Sequence, residues 1–351
     1  MSCSTGSEKI FEPINLKGHT VMIDSSLYMM TTNFHIGNIF IYGKSLGDYS
    51  YYGSLYKDNK LSKAELLFRV GHGHNEFNHI IFGKGSHNSL LLLDNPPMPT
   101  SLTIISETDS IEAIKQAKED GGWKKIDLTK IKSLRFTSDA FYSISDSSIL
   151  IAGTTYDRIG HVLSIVDFKK NTIRPLDYWP DDDVKVDSMV KQAVYSNNGK
   201  IFGNGNGSFL FQCARGKFAF LFTIDGDKVN VVKKIYTVYP DYYTNDGRNY
   251  KLKSRSAEEL MITTDDNCIF VLLKETDGDG KKLEDWSPVM FGNTIEIYDW
   301  NGNKKNELQL DHYGNKIMLS EDGKMLFLFA NDFSNENFKQ EVWTYDLSGI
   351  K

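Results

Sequence analysis

Three histidines fall within eight residues of the stretch FRVGHGHNEFNHIIFG: His72, His74 and His79. Imidazole is the commonest side chain in metal sites, so metal binding is the first chemistry to weigh. In an extended backbone His72 and His74 point the same way, but His79 has opposite parity to both. A metal also needs a third or fourth ligand with supporting hydrogen bonds, and no H-E-x-x-H or comparable spacing supplies one. Asn75, Glu76 and His87 are the other polar neighbours. The expected arrangement is therefore a loop whose imidazoles are satisfied by backbone and water. His72, His74, Asn75 and Glu76 are then candidate ligand contacts, with no metal and no cofactor.

A second candidate is KETDGDGKKLEDW. Counting from Glu275, acids stand at positions one, three and five (Glu275, Asp277, Asp279), and Gly280 follows at six. Position twelve is Trp286, where an EF-hand loop requires a bidentate glutamate, so a solvated acidic loop is expected instead of a calcium site. Trp179 in LDYWPDDD, Trp286 in LEDWSPV and the tyrosines of YTVYPDYY could stack on a sugar or a peptide, because each pairs an apolar face with one polar atom. Blade-to-blade aromatic packing is the competing use. No G-x-S-x-G, P-loop, dinucleotide fingerprint or Cys–His nucleophile signal is present. No catalytic residue is named.

The elements that position these residues are legible from repetition. An apolar alternating run ending in Gly or Asp before turn residues recurs as NIFIYGKSLGD, SLLLLDNPPMP, VLSIVDFKKNT, FLFTIDGDKVN, TIEIYDWNGNK and EVWTYDLSGIK. The marker residues are Gly43, Asp94, Asp167, Asp225, Asp299 and Asp346. Tight polar turns between short strands precede the later copies: SISDSSILIAG, YSNNGKIFGNG, TTDDNCIFVLL and LSEDGKMLFLF. Asn198-Gly199 and Asp322-Gly323 are hairpin signals because glycine accepts positive φ. Four strands recurring about every 50–70 residues describe a propeller blade. The expected fold is all-β, a six-bladed β-propeller of four-stranded antiparallel blades spanning 10–351, with a disordered tail over 1–9. A pair of β-sandwiches is the alternative. IFEPINL is expected to add a strand to the last blade and close the ring. One short inserted helix is expected near 109–120, from an N-cap at Thr108, Asp109 or Ser110 to the Gly121-Gly122 stop. Its buried stripe is Ile111, Ile114 and Ala117.

Composition narrows the partners. The chain has 351 residues, a net charge of −6, 13% aromatics and no dense basic run. That argues against nucleic acid and against direct binding to an anionic membrane. Three cysteines make neither a disulfide framework nor a zinc pattern, and a Cys213–Cys268 bridge stays open. The opening MSCSTGSEK matches what a trimmed bacterial lipoprotein signal leaves ahead of a lipidated cysteine, making Cys3 the candidate lipidation site. A cytosolic start with a disordered tail is the other reading.

Gly71-x-Gly73-x-x-Glu76-Phe77 resembles the G-x-G-P-x-E-F element of six-bladed, TolB-like propellers common among secreted proteins of Bacteroides-type bacteria. His74 stands where that pattern has proline. The ending IEIYDWNGNKKNELQLD…LSEDGKMLFLFAND…VWTYDL resembles the same group, and the likeness runs from about Phe11 to Leu347. The resemblance implies a six-bladed propeller, often a lipoprotein, without an assigned activity. Long connections on one face, around one mouth of the channel, are where a ligand would bind. The expected function is a non-catalytic extracytoplasmic binding or scaffold protein of the cell envelope. Its ligand would be a glycan, a peptide or an envelope protein, held by His72, His74, Asn75, Glu76, Trp179 and Trp286, with membrane contact only through a lipid anchor. The alternative is a metal-dependent hydrolase, lactonase or lyase with its site at the channel mouth.

Overall fold

The computed structural model describes residues 11–27, 30–44, 50–71, 76–85, 89–94, 100–106, 108–131, 134, 141–152, 161–196, 199–213, 216–253, 259–276, 281, 290–332 and 339–350. His72, His74, Asn75, Trp286, Cys3, the tail over 1–9 and most of the acidic loop after Thr276 lie outside them.

The described strands group into six antiparallel blades about one axis. Blade 1 runs from its inner strand Met30–Ile36 through Ile39–Lys44 to Tyr51–Lys57, with Lys60–Leu61 and Glu65–Phe68 sharing its outer edge. Blade 2 is Ile80–Lys84, Leu90–Asp94, Ser101–Ile105 and Trp123–Asp127. Blade 3 is Phe141–Ser145, Ser148–Ile151, Ser164–Asp167 and Thr172–Pro175. Blade 4 is Gly199–Gly203, Ser208–Cys213, Phe218–Asp225 and Lys228–Thr237. Blade 5 is Glu259–Thr264, Cys268–Lys274, Gly292–Asp299 and Lys304–Gly314. Blade 6 is Lys316–Leu319, Met325–Asp332 and Lys339–Asp346, completed by His19–Thr20.

Strand periodicity explains why the middle strands are apolar throughout. In Leu90–Asp94 successive side chains leave opposite faces of the sheet. Leu90 and Leu92 pack toward blade 1, while Leu91 and Leu93 pack toward blade 3. Each blade is thus buried on both faces, and six apolar clusters fill the six wedges between neighbours. In the wedge between blades 3 and 4, Phe209, Phe211, Phe218, Phe220 and Phe222 form a continuous ladder of rings with centroids 5.3–5.7 Å apart. Between blades 4 and 5 a polar knot joins in: Glu296 accepts from Tyr236, from Tyr298 at 2.9 Å and from Lys304 at 2.7 Å. Cys213 and Cys268 are buried thiols with no disulfide between them, which settles the open question of a bridge.

Several expectations need correction. Ile14–Leu16, within IFEPINL, lies parallel to Lys304–Gly314 of blade 5, not on the last blade. The closing strand is His19–Thr20, antiparallel to Lys339–Asp346, and Met22–Ile23 continues parallel to Lys60–Leu61 of blade 1. A ten-residue segment therefore laces three blades. The recurring turn marker also shifts phase. Gly43 and Asp94 lie in second strands, whereas Asp167, Asp225, Asp299 and Asp346 end third strands. The count of six survives because each blade contributes one. YSNNGKIFGNG is not a hairpin: a helix, Ser188–Ser196, precedes the inner strand Gly199–Gly203, and the real turn is the Asn204–Gly207 segment after it.

The helix near 109–120 forms as expected over Ile111–Glu119, with Ser110 accepting from the Ala113 amide at 2.9 Å. Ile111, Ile114 and Ala117 are its buried face, against blade 1. We label it α1, and Ser188–Ser196 α2. These are the α-helices among the described residues; α2, which buries Val190, Val194 and Tyr195, has no counterpart in the sequence expectations.

Asp311 ties the lacing segment to blades 5 and 6. Its Oδ1 accepts from the Gly18 amide at 3.0 Å, from Tyr345 at 3.1 Å and pairs with His312 Nδ1 at 2.8 Å, while the His312 ring stacks on Trp343. Gly18 is required because a Cβ there would lie 2.8 Å from the Tyr345 ring. Burial pushes the Asp311 carboxyl up, but the Gly18 amide, His312 and Tyr345 together hold it below its ordinary value of 3.8. A carboxyl with a depressed folded pKa adds stability above that ordinary value and loses it on further acidification. Asp311→Asn should accordingly weaken the clasp by about 1–2 kcal/mol. Amide hydrogen exchange across 14–23 should quicken while that of blade 3 is unchanged; uniform change in both would show that the clasp is not local.

Candidate functional site

The central channel is a cavity of about 1380 Å³, lined by the inner strands of all six blades and by turns that follow them. This reaches the face opposite the long connections, where Gly37, Gly85, Asn204, Asp265 and Glu321 rim the opening. Most polar side chains at that rim are engaged in building turns. Asp265 Oδ1 accepts from the amides of Asn267 at 2.8 Å and Cys268 at 2.7 Å. Asn204 Oδ1 accepts from Asn206 and Ser208, and Asp322 Oδ1 from Ser320 and Lys324. Such Asx-type bonds replace backbone partners at a strand end.

Basic side chains line the channel as well. Lys84, Lys200 and Lys316 reach it from blades 2, 4 and 6, and His35 from blade 1. His35 stacks on Phe40, with ring centroids 5.9 Å apart, and donates to the Leu319 carbonyl of blade 6. Burial holds its pKa down to about 4, and the ammonium groups of Lys84 and Lys316 push the same way against the Leu319 bond. The ring is neutral at pH 7. None of these four residues was singled out from sequence. The available signal was a basic residue inside the otherwise apolar first strand of a blade, as in NFHIGN and HIIFGK.

Of the sequence candidates within the described residues, Glu76 folds back over Gly71, where a Cβ would meet its carboxylate at 2.2 Å. The Gly71 amide donates to the Phe77 carbonyl at 2.8 Å. Phe77 plugs between blades 1 and 2, as expected, edge-on to Phe68 and tilted against Trp123. Trp179 stands on the connection from blade 3 to blade 4, half-buried, with its ring 6.3 Å from that of His161 and nearly parallel. Trp179 and Glu76 share no hydrogen bond, ion pair or ring contact, so the structure does not bring these two together. Among the described residues no three His, Cys, Asp or Glu side chains converge as a metal site would require.

Trp179 belongs to a built platform on the long-connection face. The segment 176–187, α2 and the hairpin Tyr242–Thr244/Tyr250–Leu252 are tied together by Asp182. Its Oδ2 accepts from Tyr195 at 2.7 Å and Tyr242 at 2.9 Å, and its other oxygen pairs with Lys191 of α2. The Asp182 side chain is only 2% exposed. Burial raises both tyrosine pKa values, and the carboxylate raises them further, so both stay protonated donors.

No family model matches the chain, and no curated protein matches it. Solved structures do. A Bacteroides fragilis protein provisionally named as exported is 11% identical, with 95% of this chain and 99% of that one aligned at a TM-score of 0.50. A Xanthomonas campestris gluconolactonase is 7% identical over 97% and 99% of the two chains, TM-score 0.44. A fungal alcohol oxidase in complex with copper is 13% identical over 91% of this chain and 62% of that one, TM-score 0.45. At such identities the first likeness speaks to the propeller fold alone.

Two outcomes follow. Asp182→Ala leaves Lys191 buried without its carboxylate and should cost about 3 kcal/mol in denaturant unfolding. A cost below about 1 kcal/mol would mean the platform does not depend on it. For His35, the unfolded ring binds a proton near 6.5 and the folded ring only near 4. The unfolded state therefore holds more protons in that interval, and stability should fall as pH drops through it. His35→Gln should flatten that part of the stability–pH curve; an unchanged slope would remove the assignment.

Proposed function

We propose that this protein is a non-catalytic binding propeller that works outside the cytoplasm, taking its ligand at the central channel and over the long-connection face around it. The observation that carries the reading is the channel itself. Its volume of about 1380 Å³ exceeds the 300–1,000 Å³ usual for small-molecule sites. A ligand of several sugar units or a short peptide fits that scale. The platform tied by Asp182 supports it, because it presents Trp179 half-buried, with an indole N–H that bonds to no described residue. A TolB-like ancestry accords with Gly71, Glu76 and Phe77. Lipidation at Cys3 would explain the opening MSCSTGSEK. An exported Bacteroides relative in architecture fits the same location. No helix of the described residues is long and apolar enough to cross a membrane.

A screen of glycans and peptides against the purified chain tests the reading. A bound ligand should protect the inner strands from hydrogen exchange, and Trp179→Ala should weaken a ligand that extends onto the long-connection face by about tenfold. Turnover of any bound compound, or binding that leaves the inner strands unprotected, would overturn it.

A further inference from the structure

We propose that Asn206, in the turn between the first two strands of blade 4, is a modification site where spontaneous deamidation places a new carboxylate at the rim of the channel. The sequence holds four Asn-Gly pairs, beginning at Asn198, Asn204, Asn206 and Asn301. Glycine has no Cβ to shield its own nitrogen, so that nitrogen can reach the carboxamide carbon of the asparagine before it. Attack needs an unbonded carboxamide, an unbonded glycine N–H and room for the turn to pivot. Asn198 lies outside the described residues, and of the other three pairs Asn206-Gly207 meets all these conditions. Both residues are exposed, and neither the Asn206 carboxamide nor the Gly207 amide bonds to a described residue. Gly207 has a φ of 84°, and a Cβ there would meet nothing within 4 Å. Asn204 is buried instead, and its Oδ1 accepts from the amides of Asn206 at 2.9 Å and Ser208 at 3.1 Å. Gly302 is buried against Lys233 and Leu221, and its amide donates to the Asp299 carbonyl at 2.9 Å.

Water is the only co-reactant. The Gly207 nitrogen gives its proton to solvent and bonds to Cγ of Asn206. The Cγ–Nδ2 bond breaks, and that nitrogen leaves as ammonia with a proton taken from water. The product is a cyclic succinimide, which water then opens. Opening at the side-chain carbonyl leaves aspartate. Opening at the main-chain carbonyl leaves isoaspartate, whose backbone runs through the former side-chain carbon. Either product replaces a neutral amide with a carboxylate, on a rim that already carries Asp265, Asp266 and Glu321. Isoaspartate also lengthens a turn whose amides at Asn206 and Ser208 are both held by Asn204. It should therefore loosen the pairing of Gly199–Gly203 with Ser208–Cys213. The same chemistry at Asn301 must first break the bond from the Gly302 amide and lift that glycine from its packing, a local opening that costs free energy.

The test incubates the full chain at mildly alkaline pH, with and without urea, and follows each asparagine by peptide mapping and mass spectrometry. In buffer, Asn206 should convert about tenfold faster than Asn204 or Asn301, whose reaction waits on local opening. In urea the three rates should converge, because the contacts that separate them are gone. The Asn206 rate should rise with pH, since the Gly207 nitrogen must lose its proton, and isoaspartate should appear among the products. Equal rates at the three sites in buffer would overturn the proposal. So would an Asn206 that stays intact in buffer and reacts in urea. A conversion independent of pH and free of isoaspartate would mean direct hydrolysis of the side chain, and would remove the role assigned to Gly207.

Discussion

Everything in this molecule depends on sheets that are apolar on both faces. A blade alone would expose two faces of leucine, isoleucine and phenylalanine, and only a neighbour on each side removes both from water. Six wedges satisfy all the blades at once, which is why the ring must close. Burial of a large side chain is worth about 1.5–3 kcal/mol, so losing any one wedge would outweigh the net stability of an ordinary domain. The polar features described above are additions to this frame. The Glu296 knot, the Asp311 clasp and the Asp182 platform each sit where apolar packing runs out at an edge or a rim.

The same geometry dictates where chemistry can occur. Inner strands converge on the axis and leave a channel, and the side chains there cannot reach a neighbouring face to pack against. Charged residues are tolerated in that position for this reason. The turns on one end consume their own acids in local bonds, as Asp265 and Asp322 do.

Sequence alone revealed the architecture because blade periodicity is a local signal. The strand alternation, the Asp322-Gly323 turn and the Ser110 cap are all decided by residues a few positions apart. What it concealed was long-range. The repeat marker occupies second strands in blades 1 and 2 and third strands afterwards, because turn residues end either strand equally well. The partner of Ile14–Leu16 could not be chosen between blades 5 and 6 from its apolar pattern. The short apolar run of α2 is ambiguous between helix and strand, as such runs generally are. The channel residues escaped notice because His35, Lys84 and Lys316 are far apart in sequence, and only the closed ring places them along one channel. Glu76 and Trp179 were identified by residue type, and residue type does not report distance.

The lacing segment has a bearing on biogenesis. His19 and Thr344 meet across 325 residues, with the Thr344 hydroxyl donating to the His19 carbonyl. The strand made early therefore stays unpaired until blade 6 is in place. Blades 2 to 4 can pack without it, but the sheet of blade 6 is completed only when both partners meet. Until then the outer edge of Lys339–Asp346 is an open template for other chains, and a chaperone that shields it would act on this protein at that moment.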